Sequence, residues 1–230
     1  MRLYHGSTKI IKNPQYGYGN IHNDYGLGFY CTEDLNMAKE WACPEARDGF
    51  ANIYDFEMEG LRILDLHSEE FHVLNWIAIL LKNRVFVKKT PVSRKAEAYL
   101  LKEFLPTTDE YDVICGYRAD DSYFSYARDF LNNAISIEQL DKAMRLGDLG
   151  NQVVLMSREA MERVKYIGYE VADAKVYYPR RLQREQEARA EYLGGYDRGA
   201  DILENEQYVL DLMRKGVRND DACLFRTISG

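Results

Sequence analysis

The stretch YGLGFY, residues 25–30, runs straight into CTEDLNMAKEWA, residues 31–42. Two glycines crowded between aromatics read as a turn feeding a short strand. The oxygen of Thr32 or of Asp34 can then accept from the free N–H groups of a first helical turn, so a helix is expected over LNMAKEWA. Pro44 stops it. This turn, strand and capped helix place Trp41 eleven positions after Tyr30, and the rest of the chain is organised around them.

Upstream, RLYHGS (2–7) reads as a short strand ending at a glycine turn, and residues 12–23, rich in Gly, Tyr and Asn, as an irregular loop. Downstream, ANIYDFEME (51–59) and LRILDL (61–66) read as two strands around Gly60, the first with apolar alternation. Ser68 opens a helix over 69–84, and Ser93 opens another that ends before Pro106. YDVICGYR (111–118) and NQVVLMS (151–157) are apolar runs with the length of buried strands. Amphipathic helices are expected over 120–133 and 136–146, the second with the Ser136–Gln139 spacing of a capping box. Ser157 caps a short helix, and VKYIGYEVADAKVYY (164–178) reads as strand. Beyond Pro179, helical segments at 183–193 and 203–215 are joined by GGYDRG. Short strands separated by helices without a regular βαβ rhythm indicate an α+β fold. The expected organisation is a domain over 1–170, with a helical insertion, and a mainly helical C-terminal extension over 171–230.

The 230 residues carry a net charge of −7. Such a surface repels phosphate backbones and disfavours non-specific nucleic-acid binding. The basic run PRRLQREQEAR (179–189) is broken by glutamates and reads as a solvated helix face. Cys31, Cys43, Cys115 and Cys223 form neither a CxxC pair nor a disulfide framework, which fits a reducing, cytoplasmic interior. No signal peptide is read at the N-terminus, and VLNWIAILL (73–81) is about half the length that a bilayer needs. His67 and His72 lack HExxH spacing, so no metal is expected. Neither a Rossmann fingerprint nor a Walker lysine is present.

LYHGS on the first strand, GLGFY on the second with Trp41 eleven positions on, and GNQVVLM on a late strand stand in an order that resembles the ADP-ribosyltransferase superfamily, in the branch shared by diphtheria toxin and the poly(ADP-ribose) polymerases. The likeness spans roughly residues 1 to 170. The part from YDVICGYRADD to NQVVLMS is similar to an uncharacterised bacterial family of that fold. The resemblance implies a split β-sheet core, NAD as substrate without a metal, and transfer of ADP-ribose to a macromolecular acceptor, most often a protein, by a toxin or effector.

It also implies roles. His5 hydrogen-bonds a ribose hydroxyl on the adenosine side, and the backbone N–H and C=O of Gly6 match the donor and acceptor of a carboxamide. Ser7 adds a hydrogen bond, while Tyr30 and Trp41 flank the nicotinamide ring. His5, Tyr30 and Gln152 form the expected catalytic set. Each has a plainer reading: His5 as a strand-end residue satisfied locally, Trp41 as packing beside Leu35 and Ala38, Gln152 as a buried strand amide.

Gln152 stands where the polymerases and toxins carry glutamate. An amide can hydrogen-bond a hydroxyl but brings no negative charge and cannot act as a base. Mono-ADP-ribosylation is then left either to an acceptor that supplies its own nucleophile or to Asp120, Asp121 or Glu33 moving into the site, although the two aspartates also read as helix caps. Arg118 pairs either with a phosphate or with those aspartates. Two other functions follow from the same residues: a silent module that binds NAD or ADP-ribose, and a nucleic-acid-modifying toxin.

Overall fold

The computed structural model describes residues 1–45, 47–86, 90–119, 121–145, 150–198 and 206–225. In chain order the elements are β1 Arg2–Ser7, β2 Phe29–Cys31, α1 Leu35–Ala42, β3 Gly49–Phe56, β4 Ile63–Asp65, α2 Val73–Asn83, α3 Pro91–Glu103, β5 Val113–Tyr117, α4 Asp121–Leu131, α5 Ile137–Met144, β6 Asn151–Leu155, α6 Arg158–Glu162, β7 Val164–Ala172, α7 Ala174–Arg198, α8 Val209–Lys215 and α9 Ala222–Phe225. The fold is α+β. Its contacts gather into two compact units whose segments interleave, where the sequence suggested one boundary near residue 170. The first holds Met1–Asp65, Thr108–Arg118 and Leu149–Glu187; the second holds Leu66–Thr107, Ala119–Asp148 and Ala188–Gly230.

The first unit contains the strands. One sheet has the order β1-β3-β7, all antiparallel, and the other β2-β6-β5-β4, with β4 and β5 parallel. A backbone bridge between Tyr4 and Thr32, with N···O distances of 2.8 and 2.9 Å, links β1 to the end of β2 and so joins the two sheets. Alternate residues of a strand face opposite sides. Leu3, Tyr54 and Phe56 from the first sheet therefore meet Phe29, Cys31, Val113, Val153 and Leu155 from the second in one apolar core.

Helix α1 covers the other face of the first sheet. Asp34 is its cap, accepting from the backbone N–H groups of Asn36 and Met37. The helix lies so close that a Cβ on Gly6 would stand 2.1 Å from the carbonyl oxygen of Ala38, and one on Gly49 2.1 Å from that of Ala42. Glycine at both positions is a condition of this packing.

Several elements differ from their sequence reading. Residues 68–71 form a turn rather than a helical start, with Phe71 N–H donating to the Ser68 carbonyl, and α2 begins at Val73. Helix α3 begins at Pro91, whose missing N–H costs nothing at the first helical position, after a Thr90 cap. The strand expected over 164–178 ends at Ala172. The carboxylates of Asp48 and Asp173 accept from the N–H groups of Ala174 and Lys175 and start a helix there instead. That helix, α7, passes through Pro179 and continues to Arg198 in place of the expected break at Gly194.

The second unit is helical. Its α2 is buried from Val73 to Leu81, and α5 carries the expected capping box, with Ser136 accepting from Gln139 N–H and Gln139 accepting from Ser136 N–H. Among the described residues, no helix is long and apolar enough to cross a membrane.

Candidate functional site

Residues that the sequence singled out on β1, β2, α1 and β6, together with Arg118 just after β5, are connected contact by contact within the first unit. On β1, His5 pairs with Asn52 of β3 and stacks on Phe29, ring centroids 4.4 Å apart. Its Nδ1 lies 2.7 Å from the Tyr30 carbonyl oxygen. A carbonyl only accepts, so Nδ1 carries the proton and Nε2 keeps its lone pair. Burial holds the imidazole below its ordinary pKa of 6.5, against the opposing pull of that hydrogen bond. The ring is therefore a neutral acceptor at Nε2.

Gly6 and Ser7 follow. Gly6 backs onto α1, where its added Cβ would meet the Trp41 Cβ at 2.9 Å, so Gly6 and Trp41 are immediate neighbours. The Ser7 hydroxyl accepts from Lys9 N–H at 3.2 Å and shapes the turn beyond the strand. Trp41 is half-buried, and its Nε1 has no hydrogen-bond partner among the described residues. The Arg118 guanidinium lies 4.4 Å from the Trp41 ring centroid, a cation–π contact. Arg118 thus meets an aromatic face.

The segment 24–30 ties the rest together. Gly26 has φ +80°, which suits glycine, and the Tyr30 hydroxyl closes that turn by donating to the Gly26 carbonyl at 2.7 Å and accepting from Tyr25 N–H at 3.1 Å. Gly28 presses on β6, where a Cβ would lie 2.6 Å from Val154 Cγ1. The buried Tyr25 donates its hydroxyl to the Tyr117 carbonyl at 2.6 Å, next to Arg118.

Gln152 lies on β6 opposite Gly116, on the face of the second sheet that also carries Tyr30 and Val154. It is 4% exposed, and its Nε2 is 3.4 Å from Oδ2 of Asp24, itself 3% exposed. Its Oε1 is buried without a hydrogen-bond partner among the described residues. A buried amide oxygen left open is costly, and it marks a place for a donor. Asp24 was not singled out in the sequence, and neither was Asn52. The Asn52 side chain donates to the carbonyls of His5 and Lys9 and accepts from Ile11 N–H, pinning the chain that leaves β1.

The other candidates fall elsewhere. Glu33 is exposed, and its charge acts on Cys115, whose thiol is pushed up to about 11 by burial first and then by Asp65 and Glu33. Cys115 pairs with Val153 on the core face of the sheet, opposite to Gln152. Asp120 lies outside the described residues. Asp121 begins α4 in the second unit, and its side chain lies outside the described part. A separate open groove is lined by Lys12, Tyr16, Arg158, Glu162 and Tyr166, and it includes none of the residues above. Among the described residues, no group of three or more His, Cys, Asp or Glu is placed to hold a metal ion.

No curated protein and no solved structure matches the chain. Residues 1–166, which include every element of the site, match the family described as "Protein of unknown function (DUF3990)", and the chain belongs to that family.

Proposed function

We propose that the first unit binds NAD and transfers its ADP-ribose to a macromolecular acceptor, most simply a protein, releasing nicotinamide. The observation that carries this reading is the buried, open Oε1 of Gln152 in a site contiguous with the His5–Tyr30 hydrogen bond and the Gly6–Trp41 contact. An acceptor atom at Gln152 and another at His5 Nε2 suit ligand hydroxyls, such as those of ribose. The Trp41 face attracts a planar cation, as Arg118 demonstrates, and oxidised nicotinamide is one.

In the reaction, the bond between nicotinamide N1 and ribose C1′ breaks and its electron pair leaves with nicotinamide, which becomes neutral. Positive charge develops at C1′. A lone pair of the acceptor forms the new bond, and the acceptor's proton passes to water. The enzyme contributes by orienting the ribose and stabilising that charge. Arg118 must leave the Trp41 face for the nicotinamide to take it.

A second reading rests on the glutamine itself. An amide at position 152 brings no charge of its own, which suits a module that binds NAD or ADP-ribose without cleaving it. Nicotinamide release from NAD, measured with and without a cell lysate and read beside a mass gain on the acceptor, separates the two. Release with label transferred supports the transferase, and saturable binding without release supports the binding module. Absence of both binding and release overturns each. A nucleic-acid acceptor is the weaker alternative for a chain of net charge −7 and would be seen as label on RNA or DNA.

A further inference from the structure

We infer that Asp24 is the carboxylate of this site, acting on the reaction through Gln152; the inference rests on the transferase reading above. Asp24 and Gln152 are both almost fully buried, at 3% and 4% exposure, and face each other at 3.4 Å. A carboxylate only accepts hydrogen bonds, so the amide must turn its NH₂ toward Asp24, and Oε1 is thereby aimed away from it. That is the oxygen without a partner among the described residues. Asp24 fixes which end of the glutamine meets a ligand. A free amide would present either end.

The pair also restores charge to the strand position. As the N1–C1′ bond breaks, positive charge grows on the ribose ring, and a ribose hydroxyl donating to Gln152 Oε1 stands one hydrogen-bonded amide away from the Asp24 carboxylate. In a buried site such a charge is weakly screened. Asp24 takes no proton in this step: the electron pair goes to nicotinamide, and the acceptor's proton goes to water. Asp24 is thus a positioning residue with an electrostatic part. The hydrogen bond is long as it stands, at 3.4 Å.

The test uses the full chain and four proteins: the parent, Asp24→Asn, Gln152→Glu, and the swapped pair Asp24→Asn/Gln152→Glu. NAD binding is read by calorimetry, nicotinamide release by kcat and KM, and folding by thermal melting. Asp24→Asn keeps the size of the side chain and loses the charge. It is expected to lower kcat at least tenfold and to weaken NAD binding by a smaller factor, since the unheld amide can present either end. The swapped pair keeps one carboxylate and one amide with the hydrogen bond reversed, and it is expected to recover at least tenfold over Asp24→Asn. That recovery also decides the case if Asp24→Asn alone melts early. Turnover by Asp24→Asn within twofold of the parent, or no recovery in a folded swapped pair, overturns the role of Asp24 and leaves the transferase reading standing. A parent that binds NAD without releasing nicotinamide overturns both the role and the transferase reading in favour of a binding module. A parent that does neither overturns all three.

Discussion

His5 donates its Nδ1–H to the carbonyl oxygen of Tyr30 over 2.7 Å, so the tautomer of the ring is set by the strand beside it. This couples two positions 25 residues apart into one unit of the site. It also separates the jobs of Tyr30. Its carbonyl orients His5, while its hydroxyl closes the turn at Gly26. His5→Ala is expected to lower NAD turnover by about a hundredfold with the fold retained, the scale of loss when a positioning contact goes. Tyr30→Phe keeps the carbonyl and removes only the turn closure, and it is expected to lose far less. Equal losses in the two variants would mean that closing the turn at Gly26 matters as much to turnover as the His5 contact.

The same hydrogen bond gives a pH dependence. Burial lowers the His5 pKa below 6.5, so Nε2 remains an acceptor as pH falls through that value and is lost only below it. The acid limb of kcat/KM is therefore expected below pH 6.5 and absent from residual turnover in His5→Ala. A limb centred above 6.5 that vanishes in this variant would contradict the lowered pKa.

Gly6 is a packing requirement before it is anything else. Its added Cβ would lie 2.1 Å from one backbone atom of α1 and 2.8 Å from another, and neither can move without the helix. Gly6→Ala is expected to destabilise the protein by about 2 kcal/mol or more through overpacking, read as a fall in denaturant midpoint. Gly17→Ala is its control for local crowding, since no atom lies within 4 Å of a Cβ there. Any loss at Gly17 comes from its positive φ of +82° alone.

His72 is expected to make the second unit acid-sensitive. It is buried against Phe104, ring centroids 5.6 Å apart, and burial lowers its pKa to about 4. Between pH 6.5 and 4 the unfolded chain binds more protons than the folded one, so this residue's contribution is complete above 6.5 and is lost as pH falls toward 4. The full shift corresponds to roughly 3 kcal/mol. His72→Asn keeps a residue suited to the N-cap of α2 and removes the titration. The pH slope of unfolding free energy in this window is expected to be shallower in the variant than in the parent, and identical slopes would remove His72 as the cause.

Local signals were legible in the sequence, and pairings across the fold were not. The strand at RLYHGS, the turn and strand at YGLGFY, the Asp34 cap and the Ser136–Gln139 box all follow from residues within a few positions of one another. Asn52 and Asp24 do not. Each is a single polar residue whose role depends on what the sheet brings to it: His5 through the β1–β3 register, and Gln152 from 128 positions away. The strand-like AKVYY was misleading for a related reason. Its β-branched and aromatic residues favour a strand, but Asp48, far back in the chain, accepts from the first N–H of α7 and helps to start a helix. The interleaving of the two units has no local signature at all.

The basic run at 179–189 shows the same limit and carries a last prediction. It reads as a solvated face, and Arg181 and Gln183 do pair along it with Glu185 and Glu187. Arg184 instead turns to Glu40 of α1, making two hydrogen bonds of 3.1 and 3.2 Å to a side chain only 4% exposed. The planar guanidinium satisfies both carboxylate oxygens at once. Removing the arginine leaves a buried charge without its cation, while removing both partners leaves nothing to desolvate. Arg184→Met is expected to cost about 2–3 kcal/mol in unfolding free energy, part of the penalty being relieved because Arg184 is itself 30% exposed. Arg184→Met combined with Glu40→Gln is expected to recover most of that loss. A double variant as unstable as the single one would mean that the pair holds α7 by packing of the arginine stem rather than by charge.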